Sequence, residues 1–455
     1  MPPRLIDSLA TTAPLAEVFS DASILRAMLA FEAALARAEA KVGVIPKAAA
    51  TSISAIIENS EFDAADLAHG ALRAGTLAIP LVELLTERVS QKDSEAARYV
   101  HWGATSQDAA DTALILLLQR AHSLISADVL RLEGALVRLS DQHMNTVILG
   151  RTLLQAAPPI TFGLKAAGWF GAIRRSRIRM ENAFREAAVL QFGGASGTLA
   201  ALGDKGLAVG RALADELQLG YPDAPWHANR DRLAAYVTSC GVLTGCLGKM
   251  ARDISLLMQT EVAEVAEPSG DGRGGSSTMP NKRNPIACAL TLAAANRVPG
   301  LVAGFLSSMV QEHERAVGGW QAEWPTVTAI VEATGLASAS MAEAADGLEV
   351  STVKMRENIS ATKGSMFAER AMMLLGPSLG RSAAYELVKK ASQRSAAERR
   401  RLSDVLGEMP EVTSVLSQQA IRAIENPDEY LGVAEEFRRR LLSRHATSQP
   451  GEEKE

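Results

Sequence analysis

A seam of apolar side chains between residues 231 and 266 constrains the fold more than any other feature of this sequence. Its members alternate steps of three and four residues along the chain: Leu233, Tyr236, Cys240, Leu243, Leu247, Met250, Ile254 and Leu257. Such heptad-like spacing is typical of a helix whose apolar stripe packs against other helices along its whole length. A helix over this segment would be about 50 Å long at about 1.5 Å per residue, which predicts a bundle of long helices.

Three glycines inside this segment indicate how closely the helix packs. Gly241, Gly245 and Gly248 lower helix propensity, so we expect a neighbouring helix to approach the backbone closely there. The seam alone does not separate packing within one chain from packing between chains, and both stay open.

Composition and periodicity extend the helical prediction to the rest of the 455 residues. Aromatic residues make up only 4% of the chain, Ala and Leu are abundant, and no stretch of any length has strand periodicity. We therefore predict an all-α fold with an elongated central bundle of long helices and smaller helical domains at both ends. The predicted domains are residues 1–108, 109–347 and 348–455, with a disordered tail from Ala446.

The overall charge and the cysteines exclude several classes of protein. A net charge of −5 creates no field that attracts nucleic acid. Cys240, Cys246 and Cys288 have no metal-ligand spacing, so we interpret them as reduced core residues. The N-terminus lacks a signal-peptide core, and apolar runs such as residues 113–118 are too short to cross a bilayer. The sequence therefore predicts a soluble, cytoplasmic protein with no nucleic-acid or membrane partner.

The segment from Glu267 to Pro285, EPSGDGRGGSSTMPNKRNP, combines many glycines with polar side chains, and we call it the glycine loop. Its glycines make the backbone conformationally permissive. Glycines fill its first half, while hydroxyls, Lys282, Arg283 and Asn284 fill its second half. Asn284 can cap a following helix, and Pro285 suits the first helical position. Helix-terminal N–H groups and two cations would then converge on a site for an anion such as a carboxylate. The alternative is a solvated loop at the end of the bundle.

Two further polar blocks interrupt the helical pattern. Residues 101–108, HWGATSQD, precede a long amphipathic run, and residues 150–163 have the sequence GRTLLQAAPPITFG. The hydroxyls of Thr105 and Ser106 can cap the following helix or face a ligand, and the sequence leaves both interpretations open.

The second half of the glycine loop resembles a known signature. Residues 275–285, GSSTMPNKRNP, match the GSSxMPxKxNP pattern of the fumarase/aspartase superfamily at every fixed position, and the two polar blocks occur in the expected order. Residues 225–234, 312–325 and 380–388 look like the superfamily members that lactonise carboxymuconates, so the resemblance covers nearly the whole chain. It implies a three-part helical subunit whose long helices form the core of a homotetramer, with active sites shared between subunits.

The resemblance also implies roles for individual residues. Ser276 corresponds to the catalytic serine, on a loop that closes over the substrate, while Lys282 and Asn284 correspond to the pair that binds the carboxylate beside the reacting carbon. The other implied substrate contacts are Thr105, Ser106, Gln155, Arg315 and His101. Arg315 suits a further carboxylate because a planar guanidinium grips two oxygens. His101 can instead be structural or carry protons.

Two positions depart from the amine- and water-eliminating lyases of the superfamily. Those lyases pair a histidine in the second block with a glutamate after the signature, and this chain has Leu153 and Ala289 there. A basic amine or hydroxide needs a proton donor to leave, whereas a carboxylate, with a conjugate-acid pKa of roughly 4, does not. The departure suits lactonisation of 3-carboxy-cis,cis-muconate, or a close analogue such as a sulfomuconate, in protocatechuate degradation. We predict a cycloisomerase for a small di- or tricarboxylate that uses no cofactor and no metal.

Two other functions stay open from the sequence. An adenylosuccinate- or argininosuccinate-type lyase is favoured by the signature loop and disfavoured by Leu153 and Ala289. A non-catalytic structural homologue is disfavoured because Ser276, Lys282 and Asn284 are intact.

Overall fold

Helices dominate the computed structural model, which describes residues 5–270, 274–275, 279 and 282–443, and this confirms the all-α prediction. The α-helices of this described part are α1 Ala13–Val18, α2 Asp21–Val42, α3 Lys47–Asn59, α4 Ala64–Ala74, α5 Ala78–Ser90, α6 Ser94–Ala97, α7 Ser106–Gln142, α8 Phe162–Ala187, α9 Gly206–Leu217, α10 Asp231–Leu257, α11 Ile286–Ser308, α12 Gly319–Asp346, α13 Thr352–Ala361, α14 Ala368–Leu379, α15 Arg381–Glu398, α16 Leu402–Gly407, α17 Pro410–Thr413, α18 Gln418–Ala423 and α19 Ala434–Ser443. Short 3-10 helices cover Leu5–Leu9, Ala200–Lys205, Ser365–Phe367 and Pro427–Glu429. The tail that we predict to be disordered lies outside the described residues.

The chain divides into two compact units, each assembled from separate stretches of sequence. The first unit consists of Met1–Leu130, Arg175–Lys249 and Ala289–Met341. The second unit consists of Arg131–Arg174, Met250–Cys288 and Ala342–Glu455. Each unit combines stretches that are far apart in sequence, whereas the three predicted domains are continuous, so the three-domain division stays a prediction.

The predicted seam lies on α10, which ends at Leu257 and is therefore shorter than the predicted segment. Its eight apolar side chains are all at most 4% exposed, which confirms the heptad-like prediction. A Cβ atom added at Gly248 would lie 2.6 Å from Cβ of Ala295, and one at Gly241 would lie 3.2 Å from Val302. Both neighbours stand on α11. The expected close approach of a second helix is thus confirmed at these two glycines, whereas no neighbouring atom of the described chain lies within 4 Å of a Cβ added at Gly245, where the expectation is wrong.

A β-hairpin in the second unit was not predicted by the sequence analysis, which was wrong on this point. Strands β1, Val147–Thr152, and β2, Gln155–Thr161, pair antiparallel through a two-residue turn. The turn residues Leu153 and Leu154 have φ values of 50° and 63°, a conformation for which Asn and Gly are the usual residues. Two adjacent prolines in β2 further hide the strand signal. A second, shorter ribbon in the same unit pairs β3, Val265–Ala266, with β4, Glu349–Val350.

The core of the second unit combines this hairpin with the C-terminal helices. Val147 and Leu149 of β1 are buried in one apolar cluster with side chains from the helices that follow residue 352. The cluster includes Ile359, Phe367, Leu375, Val388, Leu402, Leu406, Val412 and Ile421. Burial of these side chains fixes β1 in place, and with it the tip of the hairpin.

By length and composition alone, α7, α10 and α11 could each cross a membrane. The sequence analysis considered only short apolar runs, such as residues 113–118, which lie inside α7. The complete helices are longer than these runs and do reach the length needed to cross a bilayer. In the most apolar stretches of α7, α10 and α11, respectively 44%, 61% and 33% of the residues are buried within the chain. Among the large apolar side chains of α11, Ile286 and Leu306 are 40% and 44% exposed in the single chain.

Candidate functional site

In the first unit, the carboxylate of Asp108 organises the turn that precedes α7. The side chain is fully buried and accepts four N–H donors: the backbone N of Thr105 at 3.1 Å, of Gly193 at 3.0 Å and of Gly194 at 2.9 Å, and Nε2 of His227 at 2.7 Å. Because Asp108 lies three residues after Thr105, its bond to the Thr105 N–H is one half of a capping box. The same carboxylate therefore fixes the helix start and the loop around Gly193.

The hydroxyl of Thr105 bonds to Arg315 across this turn. Nη1 of Arg315 donates to Oγ1 of Thr105 at 2.8 Å, and Nη2 donates to the carbonyl oxygens of Ala195 at 3.1 Å and Gly194 at 3.4 Å. Two of the predicted substrate contacts are thus brought together by a direct hydrogen bond. Because the Thr105 oxygen accepts from Arg315, its own O–H remains able to donate to a ligand.

A buried charged network supports this part of the first unit. Arg230 is fully buried and forms ion pairs with Asp111 on α7, at 2.7 Å, and with Glu323 on α12. Trp320 donates its indole N–H to Asp111 at 2.9 Å, and Gln311 donates to Glu323 at 2.8 Å. Burial opposes the charge on Arg230, but the two carboxylates outweigh it and raise its pKa. One guanidinium therefore joins α7, α12 and the segment before α10.

His101 also belongs to the first unit and stands in the same turn as Thr105. Its Nδ1 donates to Oε1 of Glu32 at 2.7 Å, and its backbone has a φ of 56°. Ser106 is the first residue of α7 and is half-buried. The first unit thus gathers four of the predicted substrate contacts, with Arg315 as the fourth.

In the second unit, the N-terminus of α11 is already occupied by a carboxylate of the chain. The backbone N–H groups of Ala287 and Cys288 donate to the side chain of Glu267 at 3.0 and 2.8 Å, and Glu267 is only 3% exposed. The sequence analysis expected a substrate anion at this helix terminus and Asn284 as its cap. The structure instead shows an internal carboxylate in that position, contributed by the start of the glycine loop.

Arg283 and Asn284 also bond within the second unit. Arg283 forms a two-point ion pair with Glu349, with N···O distances of 2.8 and 2.9 Å. Asn284 donates its backbone N–H to Gly274 at 2.9 Å and its side-chain amide to Gly275 at 3.3 Å. The two bonds of Asn284 tie the middle of the glycine loop to its C-terminal end. The side chain of Lys282 is exposed.

The second polar block places Leu153 and Gln155 at the tip of the β1–β2 hairpin. Leu153 is 97% exposed, and Gln155, the first residue of β2, is also exposed. Next to the tip, Arg151 pairs with buried Glu264 through two bonds of 2.9 and 2.8 Å, and Asn358 donates to the same carboxylate at 2.8 Å. An apolar side chain therefore stands where the superfamily's lyases carry a histidine.

The predicted site residues thus fall into two groups. His101, Thr105, Ser106 and Arg315 belong to the first unit, and Gln155, Lys282 and Asn284 belong to the second. No hydrogen bond of the described residues links Gln155, Lys282 and Asn284 of the second unit to one another. Ser276, the predicted catalytic residue, lies outside the described residues. Within the described ranges, no cluster of three or more His, Cys, Asp or Glu side chains could hold a metal ion.

Several residues that build the site were missed by the sequence analysis. Asp108 belongs to the first polar block, and His227 and Arg230 belong to the segment PWHANRDRLA that carries part of the resemblance. Because these three residues lie in blocks that carry the resemblance, the sequence could have identified them as candidate site residues. Glu264 lies just before the glycine loop and Glu267 is its first residue, and nothing local in the sequence indicates their partners.

This chain is similar to known proteins over nearly its full length. A family model described as Lyase matches residues 9–300, and one described as Adenylosuccinate lyase C-terminus matches residues 364–441. The 3-carboxy-cis,cis-muconate cycloisomerase of Bradyrhizobium diazoefficiens is 47% identical, covering 96% of this chain and 97% of the relative. That of Pseudomonas aeruginosa is 46% identical, covering 97% and 96%. A crystal structure of the 3-carboxy-cis,cis-muconate lactonizing enzyme from Pseudomonas putida matches with a TM-score of 0.92 at 45% identity, covering 98% of this chain and 99% of that chain.

Proposed function

Because this chain belongs to the 3-carboxy-cis,cis-muconate cycloisomerase family of the fumarase/aspartase superfamily, we propose that it lactonises 3-carboxy-cis,cis-muconate. The enzyme is an isomerase of the intramolecular lyase type, acting in the degradation of aromatic compounds such as protocatechuate. It needs no cofactor. The observation that carries the chemistry is Leu153, an apolar side chain in the position of the acid that assists basic leaving groups.

The reaction adds a carboxylate oxygen to a conjugated alkene and a proton to the adjacent carbon. In reverse it is an elimination in which the carboxylate leaves. A carboxylate leaves without protonation because its conjugate acid has a pKa of roughly 4. The reaction therefore needs a group that moves a proton at carbon and cations that stabilise the negative charge developing on the neighbouring carboxyl group.

The residues of this chain supply these functions as follows. Ser276 gives the proton to carbon in the lactonising direction and removes it in reverse, and Lys282 with Asn284 stabilises the enediolate. Arg315 binds a further carboxylate of the substrate, supported by its hydrogen bond to Thr105 at 2.8 Å. Ser106 and Gln155 add polar contacts. Asp108 accepts the backbone N–H of Thr105, and the Gly194 and Ala195 carbonyls accept from Arg315. These bonds support the assignment because they hold Arg315 and Thr105 in a fixed geometry.

The enzyme acts as a soluble, cytoplasmic homotetramer in which different subunits complete each active site. The exposed apolar side chains Ile286 and Leu306 of α11 support assembly, since an apolar patch on a helix is normally covered. The hairpin tip supports it as well, because Leu153 and Leu154 are 97% and 73% exposed on an ordered strand pair.

A substrate panel followed by ultraviolet absorbance tests the proposed function. We expect the purified protein to remove the conjugated-diene band of 3-carboxy-cis,cis-muconate, because ring closure consumes one of the two double bonds. Adenylosuccinate, argininosuccinate and fumarate, run in parallel, are expected to stay unchanged; a sulfomuconate arm compares the two muconate classes. Turnover of adenylosuccinate or argininosuccinate with the muconate unchanged would contradict the proposal and support the lyase alternative. Tight tricarboxylate binding without any turnover would support the non-catalytic alternative.

A further inference from the structure

A buried glutamate on α2 holds the imidazole of His101. The side chain of Glu32 is only 1% exposed, and its Oε1 accepts the Nδ1–H of His101 at 2.7 Å. The ring of His101 is 14% exposed, and no described residue bonds to its Nε2. The backbone of His101 is left-handed, with a φ of 56°, an uncommon conformation for a residue other than glycine. The ring is thus held on its inner side and open on the other.

The charges around His101 favour the imidazolium. Burial alone would lower the pKa of His101, but the charge and hydrogen bond of Glu32, together with the charge of Asp108 on α7, outweigh it and raise that pKa. Two turns further along α2, Glu39 is fully buried, and its carboxyl oxygens have no partner among the described residues. Burial, and then the charge of Glu32, raises the pKa of Glu39 to about 9. Near neutral pH, Glu39 is therefore a neutral acid, and Glu32 supplies the charge on this face of α2.

We propose that Glu32 is a positioning residue, which fixes the ring of His101 and keeps it as an imidazolium whose Nε2–H binds one carboxylate of the substrate. The inference rests on the proposed function, since a substrate with three carboxylates calls for a third cation beside Arg315 and Lys282. The bond to His101 gives the buried carboxylate of Glu32 a partner on a helix whose other buried side chains, apart from Ser23 and Glu39, are apolar. The contribution of His101 is present at low pH and is lost as the pH rises through its raised pKa.

The variant Glu32→Gln tests this because glutamine keeps an oxygen that accepts the Nδ1–H but removes the charge. Without that charge, burial lowers the pKa of His101, and the ring becomes neutral near pH 7. The probe is propane-1,2,3-tricarboxylate, with binding measured by calorimetry at pH 5.5 and pH 7. We expect Glu32→Gln to bind the probe about 10- to 100-fold more weakly than the wild type at pH 7, and this loss to be smaller at pH 5.5, where more of the ring is protonated.

The matched control is Glu39→Gln, on the same face of the same helix. Because Glu39 is already neutral below its pKa of about 9, its replacement is expected to leave probe binding unchanged at both pH values. The inference is overturned if Glu32→Gln binds like the wild type at pH 7, or if it loses affinity equally at both pH values, as a merely structural residue would. If Glu32→Gln does not fold, His101→Gln decides: it must bind the probe about 10- to 100-fold more weakly than the wild type at both pH values, and binding like the wild type overturns the inference.

These outcomes separate the inference from the proposed function. Probe binding involves no turnover, so the calorimetric result stands whichever reaction the enzyme catalyses. If the wild type lactonises the muconate but its binding of the probe shows no dependence on Glu32, only the inference fails. If the wild type does not lactonise the muconate, the proposed function fails.

Discussion

Replacing Arg230 with Met is expected to destabilise the protein by about 3–5 kcal/mol, the typical cost of removing one partner from a buried ion pair. Arg230, Asp111 and Glu323 are all fully buried, so the substitution leaves two carboxylates without their shared cation. Burial already raises the pKa of Glu323 even with the guanidinium in place. The loss also removes the stacking of Arg230 over Trp226, whose ring centroid lies 4.6 Å away.

Thermal and urea unfolding measure this effect. A chain with two compact units can unfold in more than one step, so each transition midpoint is compared separately. The matched control is Arg26→Met, whose ion pair with Glu17 is 63% and 65% exposed and is expected to contribute under about 1 kcal/mol. Adding Glu323→Gln to Arg230→Met is expected to restore part of the stability, because one unpaired carboxylate is then gone. Equal midpoints for Arg230→Met and wild type would contradict the network described here.

Replacing Ser276 with Ala is expected to lower kcat by roughly 10²- to 10⁴-fold, the usual contribution of a positioned proton carrier. Alanine removes the hydroxyl that moves the proton at carbon and leaves Arg315 and Lys282 to bind the carboxylates. The KM for 3-carboxy-cis,cis-muconate should therefore change much less than kcat. Initial rates over a range of substrate concentrations separate the two constants.

The neighbouring serine provides the matched control for this variant. Ser277→Ala removes the same hydroxyl one position along the same loop and is expected to retain most of the wild-type kcat. If Ser276→Ala keeps near-full turnover, Ser276 has no role in proton transfer. If the two variants lose activity equally, the loop sequence matters and the single hydroxyl does not.

The parts of the fold that depend on local periodicity could be predicted from the sequence. The seam on α10 follows from apolar spacing, and the close approach at Gly248 follows from a glycine within a helical pattern. The β1–β2 hairpin could not be predicted in this way. Its turn is formed by Leu153 and Leu154, which give no local turn signal, and its pairing is stabilised by burial in a core that the C-terminal helices complete.

The contacts of the site are mostly between residues far apart in sequence, which explains why they were missed. Arg230 pairs with Asp111 across 119 positions, and His101 pairs with Glu32 across 69. A local sequence pattern shows where polar residues are grouped. It does not show which distant residue will form a hydrogen bond or ion pair with a buried carboxylate. Glu267 shows the consequence, because it occupies the helix terminus that composition alone assigned to a substrate.

The most direct test of the central claim is the reaction of the wild-type protein with 3-carboxy-cis,cis-muconate in D₂O, with the product analysed by NMR. The account predicts a lactone that carries a single deuterium, on the carbon next to the one that forms the new carbon–oxygen bond. Recovery of unreacted muconate, or of an open-chain product in which water has added to the double bond, would contradict it.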